Sequence, residues 1–393
     1  MRLVVLSFLA VVFAAGTAQG AEVYAGTIGA AEVVVLLDTP TEGHAGHYFY
    51  RRGGADIPLN GDSIAGAAFS LTEVVETRTA STPLDEPVVR TSGYWRLTRV
   101  GDGLTGEWRG APRGAPQPVR LRLLARTSGR PEAGHWEWEE SFNGAAELDY
   151  PDMPYLLERA RSGPTSLGPE RRLGAGAYRM VTDTRTGVST PRLTRFPDAA
   201  QMQRLNSVFE ADRALEIGQT LTCAAAIIHS GVRPEAGSIT HPRPGVVSVR
   251  IDHLGARLIS FTEQGAVDCG GEHSNYIFHS RTYDARTGAL FDPASLLNLS
   301  PPGRAAAFWR LWTEREAQPM PGHPYGAPDD CTYLSAENAD HPDVEYRLTD
   351  RGLMVSGADA NIVSGPVCSI DLVEIPLSAL RPFLAPGSEA YWR

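Results

Sequence analysis

The sequence contains no lysine, and all 36 of its basic residues other than histidine are arginines. This excludes chemistry that needs a lysine amine, such as a Schiff base with a carbonyl substrate, a serine–lysine catalytic pair or the lysine of a phosphate-binding loop. Gly-x-Ser-x-Gly, HExxH and glycine-rich phosphate motifs are also missing. We therefore predict no catalytic residues, no metal and no cofactor, which favours a binding protein over an enzyme without deciding between them.

Long apolar runs are absent beyond the N-terminus. Residues 1–20 combine a basic start, an apolar run over residues 3–15 and the small residues Ala18 and Gly20, the pattern of a cleavable secretory signal peptide. The run is too short for a permanent membrane-spanning helix, and no cysteine follows it to carry a lipid. We predict cleavage near Gly20 and a periplasmic or secreted product without a membrane anchor.

Acidic residues outnumber basic ones: 46 acidic residues and 36 arginines give a formal net charge of −10. Like charges do not form blocks, and 42% of the residues are hydrophobic, so the composition indicates packed domains and not long disorder. An acidic chain is a poor partner for nucleic acid. It suits a basic protein partner instead.

Cysteine is scarce, with only Cys223, Cys269, Cys331 and Cys368. An even number in an oxidising compartment predicts two disulfides, each contributing about 3 to 4 kcal/mol. We favour the pairs Cys223–Cys269 and Cys331–Cys368, because each would link neighbouring strands within one domain, but the other two connectivities stay open. Zinc is a weaker alternative, since no two cysteines are close enough for a CxxC knuckle.

Residues 21–127 predict an antiparallel β domain. Short stretches rich in Val, Ile, Tyr, Phe and Trp alternate with glycine-containing turns, and Gly101-Asp102-Gly103 between two such stretches is a strong hairpin signal. This meander predicts a small barrel or sandwich. Residues 128–176 are rich in proline, glycine and charge, and we predict a linker or irregular extension there.

The remaining residues, 177–393, predict a second domain of mixed α and β structure. Asp198 is a candidate cap for a helix that ends near Leu215, and Ser300 for a second helix. A short last helix over residues 377–384 follows several predicted strands. The whole chain is therefore predicted to be α+β, with a C-terminal antiparallel sheet packed by two or three helices.

Four segments of the second domain carry a family resemblance: residues 268–275 (Asp-Cys-Gly-Gly-Glu-His-Ser-Asn), 282–290 (a Tyr-Asp-x-x-Thr-Gly hairpin), 346–353 and 374–380. They resemble the extracytoplasmic domain of the lysozyme-sensing anti-sigma factor, which is also found beside some peptidoglycan deacetylase domains and is a domain family of unknown function. The resemblance covers roughly residues 180 to 386 of this chain. It implies the same fold and a ligand of the cell envelope.

The densest group of unusual residues in these segments is a candidate ligand-binding site, formed by Gly270, Gly271, Glu272, His273 and Asn275. The structural alternative is a turn in which the glycines allow a positive φ and His273 and Asn275 form hydrogen bonds. A Glu–His pair acting as acid and base or holding a metal is less favoured, because no motif supplies a second ligand or a nucleophile. Glu272 stands where the family has alanine.

Two further patterns have both a functional and a structural interpretation. His44 and His47 would bring two imidazoles to one metal, but flanking glycines and aromatic residues favour a turn that enters a strand. In residues 136–140, two tryptophans alternate with glutamates, so the rings would share one strand face and the carboxylates the other. That is compatible with a sugar-stacking platform and equally with an ordinary edge strand.

These observations predict an exported, non-enzymatic binding protein of the cell envelope. The resemblance implies recognition of lysozyme or of a peptidoglycan-related ligand, and the acidic charge favours lysozyme or another basic protein over a cell-wall glycan. The alternative is a hydrolase, or an accessory protein of a deacetylase, that acts on peptidoglycan. A purely structural envelope protein is a third possibility.

Overall fold

A computed structural model describes residues 21–41, 43–77, 88–111, 113–127, 153–229, 248–267, 275–316, 344–357 and 371–392. The predicted α+β class is confirmed: an N-terminal antiparallel barrel is followed by antiparallel sheets and four helices. Among the helices of these ranges, none combines the length and apolarity needed to span a membrane.

The first eight strands form a closed antiparallel barrel in simple sequence order. They are β1 Glu22–Ile28, β2 Ala31–Thr41, β3 His44–Tyr50, β4 Asp56–Asn60, β5 Ala68–Thr77, β6 Val88–Val100, β7 Gly103–Gly110 and β8 Gln117–Arg126. The predicted hairpin joins β6 to β7, and Gly101 takes the positive φ (57°) that its turn requires. Strand β1 pairs with β8 along its whole length, so this sheet has no free edge.

Alternation along the strands separates a barrel interior from an outer wall. Inward-facing apolar side chains, among them Val33, Val35, Leu71, Trp95 and Leu97, fill the interior and are almost fully buried. Glycine permits the strands to bend tightly enough to close. A Cβ atom at Gly26 would lie 1.9 Å from the Arg120 carbonyl oxygen, and one at Gly106 would lie 1.9 Å from that of Arg96.

One carboxylate, that of Glu73, is buried inside the barrel and is surrounded by hydrogen-bond donors. Its Oε1 accepts from Tyr48 Oη (2.6 Å), from Trp95 Nε1 (3.1 Å) and from Trp108 Nε1, and its Oε2 accepts from Ser92 Oγ (3.1 Å). Burial and the Glu73 charge raise the pKa of Tyr48 well above its usual range, so this phenol remains a donor. The donors come from strands β3, β6 and β7, and the carboxylate on β5 therefore ties four strands together.

Helix α1, Met153–Arg161, packs against the outer wall of the barrel. Tyr155 and Leu156 share a core with the outward-facing Val34 and Phe49, and helix α2 covers the other side of α1. The guanidinium of Arg159 is buried in this contact. The barrel therefore has a continuous apolar contact with the rest of the molecule.

The second part of the chain is built on a seven-stranded sheet and a smaller three-stranded sheet. The seven strands are β9 Thr165–Leu167, β10 Arg171–Leu173, β11 Gly176–Asp183, β12 Ser189–Arg195, β13 Ser248–Leu254, β14 Leu258–Val267 and β15 Asn275–Asp284. The three strands are β16 Val344–Leu348, β17 Gly352–Gly357 and β18 Asp371–Pro376. Among the described pairs all are antiparallel except β12 with β13, which meet at a single parallel pair.

Each sheet has its own helical cover. Helix α2, Ala199–His229, packs Leu205 and Phe209 against β13 to β15. Helix α3, Arg304–Glu316, packs Phe308 and Trp312 against β17 and β18, with the short helix α4, Leu377–Leu380, beside it. The apolar residues on one face of each helix are those that the helical period places together.

Three helix boundaries differ from the prediction. Helix α4 ends at Leu380 and not at residue 384, because a 3-10 helix over Arg381–Phe383 follows it. Helix α2 continues 14 residues past Leu215, because its second half packs on α1, and Gly218 allows this close approach: a Cβ there would lie 2.9 Å from Leu156 Cδ2. Helix α3 begins at Arg304 and not directly after Ser300, since a turn precedes it. The predicted domain boundaries stay predictions. Within 128–176 the structure describes α1, β9 and β10.

We predict that Glu73→Gln lowers the free energy of unfolding by about 2 kcal/mol, because bonds to a neutral acceptor are weaker than bonds to a carboxylate. Urea unfolding followed by tryptophan fluorescence measures this, since Trp95 and Trp108 both donate to Glu73. The control is Glu107→Gln, whose side chain is 34% exposed on the outer wall. Equal stability of the two variants would contradict the role of Glu73.

Candidate functional site

The structure describes the strands beside the predicted ligand-binding segment but not the segment itself. Gly270, Gly271, Glu272 and His273 lie outside the described residues. Asn275 opens β15, where its backbone pairs with Val267 at the end of β14; its side chain is not among those described. The candidate site is therefore characterised by the β14–β15 hairpin that leads to it.

The cysteine predictions also lie outside the described part of the chain. Cys223 is in helix α2, but its side chain is not described, and Cys269, Cys331 and Cys368 fall between the described ranges. Both disulfides and their connectivity stay predictions.

The β14–β15 hairpin presents two different faces, as the strand period of two requires. Phe261, Glu263, Arg281 and Tyr283 face helix α2. Their neighbours in sequence are smaller and hydroxylated, and they face the three-stranded sheet. One hairpin therefore connects the helix with the second sheet through polar contacts on both sides.

Towards helix α2, these strands form a buried ionic cluster with two helix carboxylates. Asp212 Oδ2 accepts from Tyr283 Oη (2.8 Å), and Asp212 Oδ1 lies 3.4 Å from Arg281 Nη1. Arg281 Nη2 lies 3.5 Å from Glu263 Oε2. Glu216, one helical turn after Asp212, is also buried. The cluster thus contains three carboxyl groups and one guanidinium, and no side chain in it is more than a few per cent exposed.

Burial dominates the protonation of this cluster. It raises the pKa of Glu216 well above the usual range, and the nearby Glu263 charge raises it further. The pKa of Glu263 is also raised by burial, against the opposing influence of Arg281. Burial opposes the charge on Arg281, but Glu263 and Asp212 outweigh it and raise its pKa. The cluster has one guanidinium for three carboxyl groups, and the raised pKa values of Glu216 and Glu263 favour their protonated forms.

On the opposite face, a second polar group joins the two sheets. Arg347 on β16 is fully buried, and its Nε lies 3.0 Å from Asp252 Oδ2. The same oxygen accepts from Thr262 Oγ1 (2.6 Å). Ser260 Oγ accepts from the Leu348 backbone N–H (3.2 Å). These bonds fix the hairpin on the three-stranded sheet.

The ionic cluster is buried between the hairpin and helix α2. Glu263 lies four residues before Val267, so it is about 13 Å from the end of the ladder where the predicted segment begins. The side chains of the ionic cluster are buried. The sequence signal for this cluster is the spacing of Asp212 and Glu216. They are two acidic residues four positions apart on a helix face that is otherwise apolar.

The structure also locates the two histidines for which a metal site was considered. His44 and His47 lie on β3 with their ring centroids 6.4 Å apart, and the His47 ring meets Tyr155 edge-on at 4.7 Å. Within the described ranges no three His, Cys, Asp or Glu side chains are arranged to hold a metal ion. His47 contributes to the contact between the barrel and α1.

Comparison with known proteins gives no match, either to a model of a protein family or to a curated protein.

We predict that Arg281→Met lowers the free energy of unfolding by about 3 to 5 kcal/mol, because it leaves Asp212 and Glu263 buried without their cation. Urea unfolding at neutral pH measures the loss. The matched control is Arg286→Met, at an exposed position just beyond β15. If both variants unfold at the same urea concentration, the cluster does not stabilise the fold.

We predict that Glu216→Gln weakens the dependence of stability on pH. Because its pKa is raised on folding, Glu216 holds its proton in the folded protein at pH values where the unfolded chain has released it, so stability falls as pH rises. A neutral glutamine removes this contribution. The Tm of the parent should therefore fall more steeply than that of the variant as the pH rises above about 4.5, the ordinary pKa of the carboxyl group. Glu314→Gln, at an exposed helix position, should follow the parent, and parallel curves for all three would refute the prediction.

Proposed function

We propose that this is an exported binding protein of the cell envelope whose second domain recognises lysozyme or a peptidoglycan-related ligand. The pattern of residues 1–20 supports export to the periplasm or the exterior. The four segments that resemble the lysozyme-sensing domain support the class of ligand. The net charge of −10 favours a basic protein, because complementary potentials speed encounter.

The observation that carries this proposal is the way in which the β14–β15 hairpin is held. Its ten residue pairs lead directly to residues 268–274. One face is bound to α2 through Asp212 and Arg281, and the other to β16 through Ser260 Oγ, which accepts from the Leu348 backbone N–H. Buried charges of this kind are costly for stability. They are compatible with a scaffold that must hold a recognition segment in one position.

The proposal predicts that the mature protein, residues 21–393, binds lysozyme and that Glu272→Ala and His273→Ala each weaken binding about tenfold or more. Isothermal titration calorimetry measures the affinity, and thermal unfolding shows whether each variant folds. His44→Ala, at an exposed position on the barrel, is the control and should bind as the parent does.

Several results would contradict the proposed binding function. No heat with lysozyme and no inhibition of lysozyme at micromolar concentrations would remove lysozyme as the ligand, and the same titration with soluble peptidoglycan fragments tests the second ligand. Loss of folding in the Glu272 and His273 variants would support the structural interpretation of the turn. Release of soluble fragments or acetate from purified sacculi, with or without zinc, would identify an enzyme instead.

A further inference from the structure

A groove of about 520 Å³ lies on the outer wall of the barrel. Strands β7, β8, β1 and the start of β2 form its floor, and the residue that follows β3 contributes to its rim. The polar side chains that line it are Thr27, Glu32, Arg51, Thr105, Arg120 and Arg122.

The register of the strands explains why this part of the wall is concave. Arg120 on β8 lies between Thr105 on β7 and Thr27 on β1. In the next outward-facing row, Arg122 lies between Gly103 and Ala25. Two long arginine side chains therefore rise from a floor of small residues, and the threonine hydroxyls flank one of them.

The charges of the two central arginines are not neutralised within the described residues. Arg51 is bound to Glu158 at 2.5 Å, and on the neighbouring wall Glu107 lies 3.3 Å from Arg109. Arg120 and Arg122 are exposed, and no carboxylate of the described part of the chain lies within ion-pair distance of either. Residues 22–126 hold eleven arginines and twelve acidic residues, so the acidic excess of the protein lies mainly outside the barrel.

We propose that this groove binds an extended acidic peptide through carboxylates on alternate residues, one at each of Arg120 and Arg122. The guanidinium group is a planar fork that pairs with a carboxylate through two hydrogen bonds. Residues two apart on a strand are about 7 Å apart, and so are alternate side chains of an extended peptide. A peptide that lies along β8 therefore matches both arginines at once, and Thr27 and Thr105 add hydroxyl groups beside it.

The inference does not rest on the function proposed for the second domain. The groove and the β14–β15 hairpin belong to different sheets, and the ligands proposed for them differ in charge, since lysozyme is basic. If lysozyme does not bind, the proposal for the groove is unaffected. If the peptide does not bind, the proposal for the second domain is unaffected.

The test is fluorescence polarisation with a labelled peptide of alternating glutamate and serine and the mature protein, residues 21–393. We expect saturable binding that weakens as salt rises from about 0.05 M to 0.3 M, because exposed ion pairs are screened. The double variant R120Q/R122Q should lose about tenfold or more in affinity, since it removes both exposed ion pairs with the peptide. A peptide with glutamine in place of glutamate should not bind.

The matched control is R171Q/R172Q, which removes the same charge from two exposed positions on β10 and should bind the peptide as the parent does. Thermal unfolding confirms that both double variants are folded. The proposal is overturned if the parent does not bind the peptide at millimolar concentration, or if the two double variants lose affinity equally.

Two further experiments distinguish other ligands of the groove. Preferential binding of an acidic polysaccharide such as polygalacturonate, lost in R120Q/R122Q, would assign the groove to a glycan and overturn the peptide. Residues 128–152 follow β8 in the sequence and contain Glu137 and Glu139, again on alternate positions. If E137Q/E139Q raises the affinity for the peptide, this segment of the chain is the occupant and an external peptide is not; unchanged affinity supports the external ligand.

Discussion

The buried side chain of Arg159 on α1 links the barrel to helix α2. Its side chain is 1% exposed; Nε donates to the Gly54 carbonyl oxygen at 2.6 Å, and Nη1 lies 2.6 Å from Asp56 Oδ2 and 3.2 Å from the Gly218 carbonyl oxygen. Gly54 and Asp56 belong to the barrel, and Gly218 to helix α2. A buried guanidinium must keep its partners, because losing one leaves an uncompensated charge. The position of α1, and with it the orientation of α2 on the barrel, depends on this side chain.

The two parts of the molecule bury carboxylates in different ways. In the barrel, neutral donors on three strands surround Glu73, so the carboxylate acts as a geometric tie between strands that are far apart in sequence. In the second part of the chain, Arg281 is shared by Asp212 and Glu263, and burial raises the pKa values of Glu263 and of the neighbouring Glu216. The first arrangement uses neutral hydrogen-bond donors in place of a cation. The second places a titratable carboxyl group, that of Glu263, in the hairpin that leads to the proposed recognition segment.

The local sequence pattern predicted the positions of the barrel strands more accurately than the ends of the helices. Alternating apolar residues and the Gly101-Asp102-Gly103 turn identify β6 and β7, because strand period and turn chemistry are local properties. The end of α2 was predicted 14 residues too early, since packing on Leu156 and the barrel extends the helix beyond its locally favourable part. Of the candidate site, the sequence could indicate only the unusual segment at residues 270–275. The groove was missed, although Arg120 and Arg122 alternate with buried residues in β8, because nothing local shows that their carboxylate partners are absent.

The sequence by itself determined the α+β class, the export pattern, the limits set by the absence of lysine, and which side chains share a face of each strand. These follow from composition and from the periods of two and 3.6 residues, which act over a few residues at a time. Only the tertiary structure decided that β1 closes on β8, that Glu73 collects donors from three other strands, and that Asp212 meets Arg281 sixty-nine positions later. Such contacts join residues far apart in the chain, and their free energy depends on burial and on distances that exist only once the sheets and helices have packed.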